Sequence, residues 1–389
     1  MNQTEQDERQ LTCGRYVIAV LAAVLQKKDV PPLPAGLSWG EVYEMARQHA
    51  VEAMVFSAVS PAVKTAEPEL YARWKRGCDQ DMAQTLTQMG EEPRLLAAFS
   101  GAGLRAMPVK GSALRGLYPS PDYRQMSDID LIIQPEESTR AVELMGTLGY
   151  RPPKGDITRE HEASFNLPPF LSVELHDSPV KPDDSLAAYY RDIWEKAEPD
   201  PALPGIFHLK TEDEYLYLLA HFIQHYEDAG IGIRQVMDVF IFRQAHGGQM
   251  DNGYLDEETR KMNIAPMRQN IEALADFCFA GESEEPSEDV REMEEFCILS
   301  GIYGTHRSRS ICIMRKAQRA EEKSRGWKLR YLWRRAFPPK EEMFRRYPQA
   351  REKQWLLPYF WLCRLLDGNY WKNHFRSELS ALNHTEAKK

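Results

Sequence analysis

The stretch KGSALRGLYPSPDYRQMSDIDLII, residues 110–133, decides how this chain reads. It places a Gly-Ser pair between an apolar run and a short helical segment, then two aspartates where a second apolar run begins. GLRAMPVK, just upstream and overlapping it, reads as a short strand, SALRGLY supplies one or two helical turns, and DIDLII alternates its faces as a second strand. Side chains two apart on a strand share a face, so Asp128 and Asp130 stand together while Ile129, Leu131 and Ile133 point the other way into a core. Carboxylates that close raise each other's pKa unless a cation neutralises them, and the alternative is that both stay in solvent.

Working outward, Pro135 and the acidic pair Glu136 and Glu137 suit the start of a helix, PEESTRAVELMGTLGY. Two extended runs follow, HEASFNLP and FLSVELHD, with Pro168-Pro169 as the hairpin turn between them. The order β-α-β-α-β-β predicts an α+β fold, a small mixed sheet backed by helices. In FLSVELHD, Leu171, Val173 and Leu175 face inward and Ser172, Glu174 and His176 face the opposite way. If this strand lies beside DIDLII, Glu174 joins Asp128 and Asp130 in a three-carboxylate cluster able to hold two metal ions for an in-line displacement. Oxygen-only sites of this kind suit Mg2+. Gly111 and Ser112 sit where a turn exposes backbone N–H groups at a helix start, a phosphate site, and Lys110 and Arg124 add positive charge for a triphosphate. Each feature alone has a plainer reading: a solvated Asp pair, a helix cap, a Glu on an exposed sheet face. Their order along the chain carries the argument.

The flanks are helical. An apolar helix spans 11–26, Ser38 and Glu41 form a capping box, and a helical pattern runs from about 68 to 102. From Thr211 onward, Thr211 and Glu214 read as another capping box ahead of EYLYLLAHFIQHY, followed by IRQVMDVFIFRQA and APMRQNIEALADFCFA. The expected division is 1–85 as an N-terminal helical region, 86–205 as the α/β core and 206–389 as a C-terminal helical domain. Within the last, residues 307–353 are a basic segment that keeps an anionic partner open, and GWKLRYLWRRAF at 326–337 reads as a basic amphipathic helix packed on its own domain.

A chain of 389 residues has ample length for a sizeable core, and its net charge of −9 disfavours a surface that coats nucleic acid. The polar N-terminus lacks a basic n-region and no segment reaches the roughly 18 apolar residues of a spanning helix, so a cytoplasmic protein without a transmembrane segment is expected. The six cysteines form no CxxC pair and read as buried thiols. His221 and His225 have the i, i+4 spacing of metal ligands, but FIQ between them lacks the glutamate of HExxH, which leaves ordinary structural or surface histidines. His176 is either a partner of the carboxylates or a residue of the sheet rim.

PVKGSALRGLYP, the following R..SDIDLII, the LGY helix end and the later VELH together resemble the nucleotidyltransferase superfamily of the DNA polymerase β type. More narrowly, they resemble a bacterial family of uncharacterised nucleotidyltransferases. The likeness covers residues 100–180 and continues more weakly through AHFIQHYEDAGIGIRQVMDVF and RRAFPPKEEMFRRYP. It implies that Gly111 and Ser112 contact nucleotide phosphates, that Asp128 and Asp130 bind the catalytic metals, and that Glu174 completes the triad. Through the later segment it also makes His225 or Asp238 a neighbour of the nucleotide or acceptor pocket. One departure is the fifteen residues between Ser112 and Asp128, longer than the usual spacing in the superfamily. The implied reaction moves a nucleoside monophosphate from an NTP to a hydroxyl acceptor, whether small molecule, peptide or RNA end, and releases pyrophosphate. Two alternatives stay open: an inactive nucleotide- or protein-binding member of the fold, and a glycosyltransferase whose DxD holds a metal against a nucleotide-sugar. Acceptor, base preference and oligomeric state are not written in the sequence.

Overall fold

The computed structural model describes residues 3–321 other than 154, 156, 158–160, 181–183 and 282–284, together with 333–366 other than 334–336, 341–342, 345–346, 348 and 353. Most of the basic amphipathic helix expected at 326–337 therefore lies outside the described residues. By internal packing the chain forms two units, one of residues 1–223 and 232–302, the other of residues 224–231 and 303–389.

The first unit opens with four helices, α1 (Gln3–Gln26), α2 (Trp39–Gln48), α3 (Glu52–Ala66) and α4 (Pro68–Gly101). On α1, Cys13, Tyr16, Val17, Val20 and Leu21 are buried at helical spacing, which fixes its inward face. The expected capping box is present on α2: the Ser38 N–H donates to Glu41 Oε2 at 2.9 Å, and the Glu41 N–H donates to Ser38 Oγ at 3.3 Å. Trp74 of α4 lies 5.1 Å from the Tyr43 ring and 5.5 Å from that of Phe56, and its indole N–H donates to the Glu52 carbonyl at 3.1 Å. Such packing, more than propensity, holds these helices together.

Next come β1 (Ala106–Val109), α5 (Gly111–Arg115), β2 (Ile129–Ile133), α6 (Ser138–Thr147), β3 (Glu162–Leu167) and β4 (Leu171–His176). This is the predicted order, and its sheet runs β1-β2-β4-β3. β2 is antiparallel to β1 and parallel to β4, while β3 and β4 form an antiparallel hairpin. A parallel neighbour requires a crossover, and α6 with β3 supplies it. One sheet face, bearing Ile129, Leu131, Ile133, Val173 and Leu175, packs on Leu95 and Phe99 of α4 and on Ala141 and Met145 of α6. Gly149, at φ 90°, takes the left-handed conformation that turns the chain out of α6 toward the hairpin. All five residues of β2 are buried, so its second face is covered too, although polar Asp130 lies on it.

A short hairpin, β5 (Ala197–Pro199) and β6 (Phe207–Leu209), leads to α7 (Thr211–Asp228), α8 (Ile233–His246), α9 (Asn252–Lys261), α10 (Ala265–Phe279) and α11 (Glu288–Ser300). The capping box expected of Thr211 and Glu214 does not form in that register. Thr211 is already helical, and the Glu214 N–H donates to the Lys210 carbonyl at 2.8 Å, which puts the cap one residue earlier and leaves the Glu214 side chain for other work. α1 packs against α10 and α11, where Gln26 donates to the Phe279 carbonyl at 2.6 Å and Arg15 pairs with Glu294 at 2.9 Å.

In the second unit, the end of α7 is held by α12 (His306–Glu321). Lys316 reaches Asp228 at 2.5 Å, and the Cys312 thiol donates to the Tyr226 carbonyl at 3.3 Å. Two further short helices, α13 (Gln349–Glu352) and α14 (Leu357–Leu366), follow. Among the described residues no helix is long and apolar enough to cross a membrane. All six cysteines are free, four of them buried.

Candidate active site

The register of the sheet answers the question posed by the two aspartates. Asp130 pairs directly with Glu174 across the parallel β2–β4 ladder, and Ile132 pairs with His176 one step on. Cross-strand partners share a face, so Asp130, Glu174 and His176 converge. Each offers a ligand atom within 4.8 Å of the others, and among the described residues they are the cluster able to hold a metal ion. Asp128, just before β2, is not part of that tight set, yet it is near enough for its charge to act on Asp130 and Glu174.

Asp130 is almost wholly buried and doubly partnered. Lys110 Nζ donates to its Oδ1 at 2.6 Å, and His176 Nε2 lies 2.9 Å from the same oxygen and 3.6 Å from Glu174 Oε2. Burial opposes the charged carboxylate, but Lys110 and His176 outweigh it and hold the Asp130 pKa well below the ordinary carboxylate range. Asp130 in turn holds Lys110 above its ordinary value against the cost of burial, with Tyr217 and Asp128 adding to the field. Asp128 and Glu174 go the other way: burial, then repulsion from their acidic neighbours, raises both. Ser164 of β3 donates to Glu174 Oε1 at 3.2 Å and so fixes its orientation. The arrangement is one acid held charged by Lys110 and His176, flanked by two in which burial and mutual repulsion outweigh the same neighbours.

Lys110 itself adopts φ 57°, a conformation that costs a non-glycine residue roughly 1–2 kcal/mol and turns its ammonium back over β2. Gly111 and Ser112 open α5, as expected. A Cβ on Gly111 would lie 2.5 Å from Met126 Sδ and 2.7 Å from Arg124 Nη1, so a side chain here would have to displace the ends of both. Ser112 Oγ is sealed from solvent without a hydrogen-bond partner, though it faces the partly buried Glu92 carboxyl closely enough to temper the rise that burial imposes there. One turn on, buried Arg115 donates to Gln88, while its Nε and Nη1 have no partner. Burial and nearby Arg124, against the pull of Glu92, bring its pKa down to about 10.

Arg124 has a partner that its sequence context does not reveal. Its Nε and Nη2 form a buried fork on Asp238 of α8 at 2.8 and 3.0 Å, and Tyr118 donates to the same carboxylate at 2.6 Å. A guanidinium so engaged has only Nη1 directed toward Gly111, so it braces the turn. The long loop after Ser112 is pinned in turn: the Met126 carbonyl accepts from Gln84 and Gln88 at 3.1 Å each, and the Gln125 carbonyl accepts from Arg234 at 2.5 Å. Asp238 and His221 line a cleft that begins at Lys110, whereas His225 is not among its lining residues. Sequence reasoning missed Arg115, Glu214 and Tyr217. The available signal for the last two was a polar stripe, Glu214, Tyr217 and His221, at helical spacing on an otherwise apolar helix.

The sheet thus carries four short strands in the expected order, with a Gly-Ser turn between the first two and facing acids on two parallel strands. A model of the uncharacterised nucleotidyltransferase family matches residues 35–280, well over half of the chain, and the protein belongs to that family. No curated protein and no solved structure matches it. Membership supports a general role in nucleotidyl transfer.

Proposed function

We propose that this protein is a divalent-metal-dependent nucleotidyltransferase that moves a nucleoside monophosphate from an NTP to a hydroxyl acceptor and releases pyrophosphate. The observation that carries the reading is the Asp130–Glu174 register, which brings two acids and His176 together beside Lys110 and the Gly-Ser turn. The residues fit a cation: burial and mutual repulsion raise Asp128 and Glu174, which a bound cation would reverse. Asp128, Asp130 and Glu174 would hold it, as two Mg2+ ions in the fullest form, and when bound it supplies charge neutralisation and a lowered pKa for the acceptor hydroxyl. The imidazole of His176 within the set also suits Zn2+, and a metal titration separates the two.

The chain's own groups do the rest. Backbone N–H groups at Gly111 and Ser112 receive the phosphates, and Lys110 supplies positive charge between them and Asp130. The Asp238 fork holds Arg124 against Gly111, and that rigidity keeps the turn in position for an in-line approach. The acceptor hydroxyl gives up its proton to solvent, its oxygen bonds to the α-phosphorus, and the bond to the pyrophosphate leaving group breaks. The proposal places the protein in the cytoplasm, where NTPs abound and free thiols persist.

The test incubates the protein with labelled NTPs, with labelled UDP-sugars and with cell extract. Transfer from an NTP that falls at least ~100-fold in Asp130→Asn and in Glu174→Gln supports the proposal. Transfer only from a sugar donor points to a glycosyltransferase, and binding without transfer by any donor points to an inactive member of the family.

A further inference from the structure

One face of α7 presents Glu214, Tyr217, Leu218 and His221, with Phe222 beside them, and this face walls a cleft closed by Lys110, Leu114 and residues of α8. Glu214 also lines a smaller adjoining cavity with Lys110, Tyr217 and His208. Its carboxyl makes no hydrogen bond or ion pair among the described residues, and burial alone pushes its pKa up to about 7. The cations around it already have partners: Lys110 holds Asp130, Arg124 holds Asp238, and Arg234 donates to the Gln125 carbonyl. His221 and Tyr217 are the other titratable groups on its own helix that face the cleft. A partly buried acid in a cleft, with no partner among the described residues, is placed to receive N–H donors from a ligand.

The cleft shares Lys110 with the phosphate turn, so one molecule can reach both. Tyr217 and Phe222 offer aromatic surface and Leu114 and Leu218 apolar surface, a lining that suits a flat heterocycle. We infer that this cleft holds the nucleobase of the NTP and that Glu214 reads its hydrogen-bonding edge, an inference that rests on the nucleotidyl-transfer reading above. A carboxylate presents two acceptors, which match the adjacent N1–H and N2–H2 donors of guanine. A protonated carboxyl presents one donor and one acceptor, which match the N1 and N6–H2 of adenine or the N3 and N4–H2 of cytosine. Base preference therefore moves with pH: guanine gains as Glu214 ionises, and adenine and cytosine gain as it takes up its proton.

The experiment measures calorimetric binding of the α,β-methylene analogues of ATP, CTP, GTP and UTP at pH 6 and pH 8, to the wild-type protein and to Glu214→Gln. The wild-type affinity ratio of GTP analogue to ATP analogue is expected to rise about 10-fold from pH 6 to pH 8, within the span of one bidentate base contact. Glu214→Gln, whose amide is permanently one donor and one acceptor, is expected to favour the ATP and CTP analogues at both pH values with a constant ratio. Analogues that bind with a wild-type ranking unchanged between the two pH values, or a ranking that Glu214→Gln leaves as it was, overturn the inference and leave nucleotidyl transfer standing. Binding of no analogue at either pH overturns both. The wild-type comparison needs no variant, so a Glu214→Gln chain that fails to fold does not shelter the inference.

Discussion

Arg124 and Asp238 show how a single pairing governs the candidate site from behind. Both side chains are buried, the guanidinium grips both carboxylate oxygens, and Tyr118 completes the shell around Asp238. Burial and the adjacent carboxylate drive the Tyr118 hydroxyl well above its usual pKa, so it stays a donor at every working pH. Removing one partner strands the other charge without water. Arg124→Met is expected to cost about 3–5 kcal/mol in urea denaturation, and Arg124→Met with Asp238→Asn together to cost less than Arg124→Met alone. Strict additivity of the two would show that the fork contributes nothing. The fork itself was not legible in the sequence for a physical reason: the partner of Arg124 lies 114 residues away, and no local pattern reveals a distant carboxylate.

At the scale of elements, His49 is a joint. It ends α2, and its fully buried ring accepts the Ile233 N–H at the start of α8 through Nδ1 at 3.0 Å, while Nε2 lies 3.1 Å from the Ile298 carbonyl of α11. Those partners place the ring proton on Nε2 and require a neutral imidazole. Gly232 fits against the ring because it has no side chain, a Cβ there falling 2.9 Å from His49 Nδ1. Burial, opposed by the Ile298 carbonyl, holds the His49 pKa down at about 4, against an ordinary 6.5. With the folded value depressed, protons bind the unfolded chain first. The stabilisation is complete above pH 6.5 and is lost as pH falls toward 4. Between pH 7.5 and pH 5 this joint accounts for a loss of about 2 kcal/mol, and His49→Phe is expected to be less stable at pH 7.5 yet to lose that much less on acidification. Equal acid sensitivity of the two proteins in urea melts would exclude the joint as its source.

For the molecule as a whole, the buried acids act from the other side of the pH scale. Glu52, at the start of α3, is pushed up to about 7 by burial and then by Asp81, itself raised to about 6 by burial. An acid whose folded pKa is raised contributes stability that is complete below its ordinary value near 4.5 and is lost as pH rises through 7. A net charge of −9 adds self-repulsion in the same direction. His49 offsets these groups only in part between pH 4 and 6.5, so stability falls as pH rises toward and past neutrality and its maximum lies below pH 6. A series of thermal melts from pH 4.5 to 8.5 checks this, and Glu52→Gln is expected to recover about 2 kcal/mol at pH 8 relative to pH 5. A maximum at pH 8 or above would contradict it.

The sequence by itself determined the α+β class, the element order and the Gly-Ser turn, as well as the inward face shared by Leu171, Val173 and Leu175. These follow from periods of two and 3.6 and from local turn chemistry, which a short window contains. Only the tertiary structure decided which strands are neighbours. It put Glu174 and His176 beside Asp130, gave Arg124 to Asp238, brought α1 against α10 and α11, and turned Glu214 from a presumed cap into an acid that lines a cleft. Periodicity states which way a side chain points. What it meets there depends on chain crossings and on burial, and those are settled only when distant segments pack.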